Sequence, residues 1–159
     1  MSRVLISNMI QQLKNVLEGE LWIDENFKNK IDKLSAKEAL TAPMPQIFSV
    51  AELVFHILAW RKQLIKKLCD QKKDPSIGYP DYWVSNDELR KIGWNKLKKN
   101  FYESQYELII ILENKDDTFL KVKYSGGSTY EYLIEGLIHH DIYHLGQIGI
   151  TIKLLNKGK

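Results

Sequence analysis

The chain is short of the residues that make covalent or extended frameworks. It has a single cysteine in 159 residues, Cys69, so no internal disulfide and no cluster of thiolate metal ligands can form, and a reducing, cytoplasmic setting is expected. No apolar run approaches the ~20 residues needed to cross a bilayer, and the first residues open directly into an amphipathic pattern, so neither export nor membrane insertion is expected. Charge of one sign is also missing: 23 basic against 20 acidic residues leave a net +3, with lysines spread along the chain and acids between them, which reads as a solvated surface rather than a nucleic-acid footprint. Low-complexity tracts and internal repeats are absent. With 44% hydrophobic residues, the chain suits one soluble domain, residues 1–159, around one core. Histidine is scarce as well, four in all, yet three of the four fall within six residues.

What remains is dominated by helical periodicity. Val4, Leu5, Met9, Leu13, Val16 and Leu17 follow a 3.6-residue period and predict a helix from Val4 to about Glu18, while Trp22, Ile23, Phe27 and Ile31 predict a short second piece. Ser35 with Glu38, Ser49 with Glu52 and Ser128 with Glu131 each have the S-x-x-E spacing of a capping box, which marks three helix starts. The Ser49 box opens a long helix to about Asp70. Residues 74–87, rich in Pro, Gly, Tyr and Trp, predict a structured loop. A third long helix is expected from about Asn86 to Asn114, Lys121 to Tyr124 should be extended, and the last helix should run to about Leu155. Four long helices with linkers of several residues predict an all-α four-helix bundle, an architecture that can hold a metal on ligands from facing helices.

The histidine run Leu137-Ile138-His139-His140-Asp141-Ile142-Tyr143-His144 supplies such ligands. His140 and His144 are four apart, so their rings lie on one helix face with Cβ atoms ~5–6 Å apart, whereas His139 is rotated by ~100° from His140. His56, in the periodic segment from Val50 to Leu68, is the distant third ligand. Three imidazoles leave coordination positions open, as in a catalytic rather than a closed structural site. Glu52, one turn before His56, and Gln147, three residues after His144, are candidates for groups that orient a ligand or a water, with Asp141 and Tyr143 beside them. The capping box competes for Glu52, and the cap is the preferred reading. Trp22, Trp60, Trp83 and Trp94 are expected to fill the core or line its mouth. The competing reading is that these histidines merely pack in a helical interaction module.

Phe48-Ser49-Val50-Ala51-Glu52-Leu53-Val54-Phe55-His56-Ile57-Leu58-Ala59-Trp60-Arg61, followed far downstream by Gly136 to Ile148, resembles the DinB-like family of metal-binding helical proteins. Leu17-Glu18-Gly19-Glu20-Leu21-Trp22 and Pro80-Asp81-Tyr82-Trp83 are similar to it as well, so the resemblance spans nearly the whole chain. It implies an up-down-down-up bundle, frequent homodimers, and a divalent metal (zinc, nickel or iron) on His56, His140 and His144. It also implies a metal-dependent transferase acting through a low-molecular-weight thiol such as bacillithiol, or a related hydrolase, on a small-molecule substrate, with no role for nucleic acid or membrane. An anionic thiol would favour a cation near the mouth, for which Arg61 is the candidate. The alternative is a metal- or ligand-binding stress-response protein without turnover.

Overall fold

The computed structural model describes residues 2–69, 82–124 and 126–157. Among these residues the chain forms α1 (Val4–Leu17), α2 (Phe27–Ile31), α3 (Ala36–Ala39), α4 (Val50–Cys69), α5 (Asn86–Ile92), α6 (Trp94–Glu113), α7 (Asp117–Leu120) and α8 (Tyr130–Lys157). There is no strand among them, only an isolated antiparallel bridge between Lys123 and Thr129, so the fold is all-α.

Capping chemistry sets most helix starts. The Ser35 and Ser49 hydroxyls accept from the backbone N–H of Glu38 and Glu52, and each glutamate accepts in return from the serine N–H. Each such cap contributes on the order of 1 kcal/mol. Asn26 caps α2 through a 2.8 Å bond from the Asn29 N–H, which starts that helix at Phe27 and leaves Trp22 and Ile23 outside it. The expected helix from Asn86 to Asn114 is two helices. Gly93 breaks it at φ +86° and ψ 136°, a positive-φ conformation that glycine reaches readily and residues with a Cβ rarely adopt. The expected Ser128–Glu131 box is also displaced by one residue. The Thr129 hydroxyl accepts from the Tyr132 N–H at 3.2 Å, while the Ser128 carbonyl is taken up by the Tyr124 N–H. Of the expected loop at 74–87, residues 74–81 lie outside the described residues, and α5 already begins at Asn86.

Two apolar clusters fix how the long helices lie. In one, Val50 to Leu58 of α4 meet Trp94, Leu97 and Phe101 of α6, Val16 and Leu17 of α1, and Leu145 and Ile148 of α8. In the other, Leu64 to Leu68 meet Leu108 to Leu112, Ile6 to Leu13 and Tyr130 to Ile138. Helix α4 therefore runs alongside α6 in the same direction and opposite to α8, while α1 runs opposite to α6 and with α8. Two hydrogen bonds between α4 and α8 agree. The Thr151 hydroxyl donates to the Phe48 carbonyl at the start of α4, and the Tyr130 hydroxyl donates to the Lys67 carbonyl near its end. Burying a Leu or Ile side chain stabilises by roughly 1.5–3 kcal/mol, more than a cap, so packing decides where the helices sit and caps decide where they begin. Between the two clusters lies a layer of buried polar groups: Arg61, Ser104, Gln105, Asp141, His56 and His144.

Candidate metal centre

Helices α4 and α8 bring His56, His140 and His144 together at this polar layer. His56 and His144 are buried, and His140 is partly exposed. Their ε nitrogens converge: His140 Nε2 lies 3.2 Å from His56 Nε2 and 3.1 Å from His144 Nε2, and the ligand atoms of all three fall within 4.8 Å of one another. Three nitrogens bound tetrahedrally at 2.0–2.1 Å from one zinc ion would stand about 3.3 Å apart.

The far side of two rings shows which nitrogens carry protons. His56 Nδ1 is 3.1 Å from the Tyr82 carbonyl, and His144 Nδ1 is 2.6 Å from Gln147 Oε1. An oxygen with no hydrogen can only accept, so each Nδ1 carries the proton and each Nε2 presents a lone pair. Burial holds both rings in the neutral form. His144 is pushed down to about 4 by desolvation, then by its neighbour His140, and His56 is lowered by desolvation and by His140, against a raising contribution from the Tyr82 carbonyl. Two lone pairs thus point at His140 Nε2, which has at most one proton to donate. Convergent lone pairs repel unless an electrophile sits between them, and neutral imidazoles held by outer oxygen acceptors are the donor set of zinc, nickel and iron sites. The residues present fit such an ion.

Aromatic rings fix the His56 plane. Trp83 stacks on it with centroids 4.0 Å apart, and Phe48 stacks on Trp83 at 3.9 Å. Trp60 stacks on Tyr82 at 4.4 Å, steadying the residue whose carbonyl holds His56. Trp94 is in the core, but Trp22 is 98% exposed and neither fills a core nor lines the site, because α2 begins five residues after it.

Of the other sequence candidates, Gln147 sits against His144 and also donates to the Tyr143 hydroxyl at 3.2 Å. Glu52 is spent on the cap. His139 is exposed on the far side of α8 from this layer. Arg61 is at no mouth: it is wholly buried, bonded to Asp141 Oδ2 at 2.8 Å, to the Phe101 carbonyl at 3.0 Å and to the Ser104 hydroxyl at 3.2 Å. Its position five residues after His56 turns it away from the ligand stripe and in toward α6 and α8. Asp141 Oδ1 and His140 Nδ1 are both buried, have no hydrogen-bond partner among the described residues, and face one another at 3.9 Å. The Tyr82 carbonyl was invisible to sequence reasoning because a backbone oxygen has no residue signature. The Arg61–Asp141 pair did leave one, two opposite charges each embedded in an apolar helical stretch.

No protein-family model matches the chain, and no curated protein does. Among solved structures, a conserved protein from Enterococcus faecalis has a similar fold, with a TM-score of 0.62 over the full length of both chains at 16% identity. At that identity the likeness is one of fold alone.

Proposed function

We propose that this chain is a divalent-metal protein of the DinB-like class, in which His56, His140 and His144 hold the ion, and that it is a metal-dependent transferase acting through a low-molecular-weight thiol, or a hydrolase. The observation that carries the metal is the pinning of two Nδ1–H groups by oxygen acceptors, which leaves two Nε2 lone pairs aimed at a common point. Ligands drawn from the second and fourth long helices support the class, as do the pairwise helix directions, which are those an up-down-down-up bundle would have. A bound divalent ion would act as a Lewis acid and lower the pKa of a coordinated water or thiol.

The protein's own residues do the rest. Tyr82 and Gln147 orient the two buried rings, and Trp83, itself stacked against Phe48, covers His56. His140 is the ligand reached from outside, lining a cleft of about 390 Å³ between α4 and α8. Homodimerisation belongs to the same proposal, supported by exposed Val4 and Leu5 on α1 and Ile142 and Ile150 on α8.

Metal analysis of untagged protein prepared without chelators tests the reading. About one transition-metal ion per chain, lost in His56→Ala and His140→Ala, is expected. No metal after incubation with zinc, nickel or ferrous ion would remove both enzyme readings. With metal in place, transfer of a small thiol to an electrophile, compared with release of hydrolysis product, separates transferase from hydrolase.

A further inference from the structure

The cleft beside His140 has its own chemistry. Its walls are mostly apolar, formed by Trp60 and Leu64 of α4 and by Leu133 and Leu137 of α8, with Gln63 and Tyr132 beside them. One end is His140. At the other is Lys67, half-buried and beside the Tyr124 ring at 5.1 Å, and no carboxylate pairs with it among the described residues. From Trp60 to Lys67 is seven residues of helix, about 10 Å at 1.5 Å per residue. Gly136 forms part of the lining one turn before His140, and a Cβ there would meet nothing within 4 Å among the described residues, so the absence of a side chain keeps that wall low beside His140.

The geometry points to a substrate with an unbranched apolar body of about six to eight carbons and a terminal carboxylate: the carboxylate sits at Lys67, the body lies between α4 and α8, and the reacting end is delivered to His140. An apolar slot with one ammonium at its end, in contact with the Tyr124 ring and paired with no carboxylate among the described residues, selects for one negative charge at a fixed distance from the reacting atom. A partly desolvated lysine matches a lone carboxylate better than it matches a neutral or cationic group. This deepens the proposed function by naming its substrate class, and it rests on that reading only for what happens at the His140 end.

Calorimetric titration of metal-free protein with octanoate, and with 1-octanol as the uncharged molecule of equal length, tests it. Octanoate should bind saturably and at least tenfold more tightly than octanol. Lys67→Gln should erase that preference, and Gly136→Leu, which projects into the cleft from an exposed helix position, should weaken both ligands at least tenfold while the circular dichroism stays unchanged. His144→Ala should leave octanoate affinity intact, since the anion lies at the other end. No octanoate binding, equal binding of the two ligands, or octanoate affinity indifferent to either cleft substitution overturns the inference. Failure here alongside one metal per chain leaves the proposed function standing, whereas octanoate binding without any metal leaves the cleft and removes the centre.

Discussion

Two polar clusters lie side by side between the apolar clusters, and they have opposite economies. The Arg61–Asp141 pair is sealed: both side chains are wholly buried, and the two guanidinium Nη atoms and the ring-facing carbon meet a carboxylate, a carbonyl, a hydroxyl and the Phe101 face 4.5 Å away, with Arg61 Nε and Asp141 Oδ1 left without a hydrogen-bond partner among the described residues. The histidine cluster is neither sealed nor matched, since lone pairs meet at its centre and one ring is open to a cleft. Asp141 directly follows His140, so a rotation of about 100° along α8 divides the two. A buried group that already has its counter-charge has no need of a ligand. A cluster in which two of three rings turn their donors outward leaves lone pairs that an electrophile would satisfy, and this difference marks the histidines rather than the ion pair as the candidate functional cluster.

Breaking the sealed cluster should have the largest effect. Arg61→Ala would leave the Asp141 carboxylate buried and unpaired, and a loss of about 3–5 kcal/mol in denaturant unfolding is expected. Arg61→Met combined with Asp141→Leu should recover most of it, because removing both charges removes the uncompensated one. A single variant as stable as the parent would show that the pair is not sealed in solution.

The open cluster should respond in metal content before stability. Gln147→Leu removes the acceptor that pins His144 and is expected to weaken metal binding about 10–100-fold, read by competition with a chelator. If affinity does not change, the Gln147 contact does not orient His144.

Acid sharpens the comparison further. His144 and His56 titrate below the ordinary histidine value of 6.5 in the folded chain, so the unfolded chain binds more protons in this range. Stability of the metal-free protein should therefore be fully present above pH 6.5 and fall as the pH drops from there towards 4. The same sweep in a His56→Ala, His144→Ala variant should be flatter. An equal slope in both would place the acid sensitivity elsewhere.

The smallest effect belongs to the cleft lining. Gly136→Ala adds a Cβ that touches nothing within 4 Å among the described residues and removes glycine's conformational freedom from a helix interior, so thermal unfolding should report a gain of up to ~1 kcal/mol. A loss instead would mean that something packs on Gly136 in solution.

Much of this was legible in the residues. The 3.6-residue period located α1, α4 and α8 closely, because each carries an apolar stripe, and the Ser49–Glu52 cap of α4 is spelled out in the sequence. The i, i+4 spacing of His140 and His144 placed both rings on one face before any fold was known. The break at Gly93 was not legible, since a glycine inside a periodic stretch reads equally as a tolerated residue or a stop until its φ is seen. Thr129 took the cap from Ser128 because the Lys123–Thr129 bridge fixes the register of the incoming chain.

The sequence by itself determined the long helices α1, α4 and α8, the absence of a disulfide framework and the pairing of His140 with His144, because local propensity and helical spacing act over a few residues. Only the tertiary structure decided that Arg61 belongs to Asp141 instead of a ligand, and that the Tyr82 carbonyl holds His56. It also decided that α1, which has no side-chain cap of its own at Arg3, is capped by Asp117, whose carboxylate takes the Ile6 N–H at 3.0 Å and the Ser2 hydroxyl at 2.6 Å from more than a hundred residues away. These contacts depend on which helix faces meet, and that is settled by burying the apolar clusters of all four long helices at once.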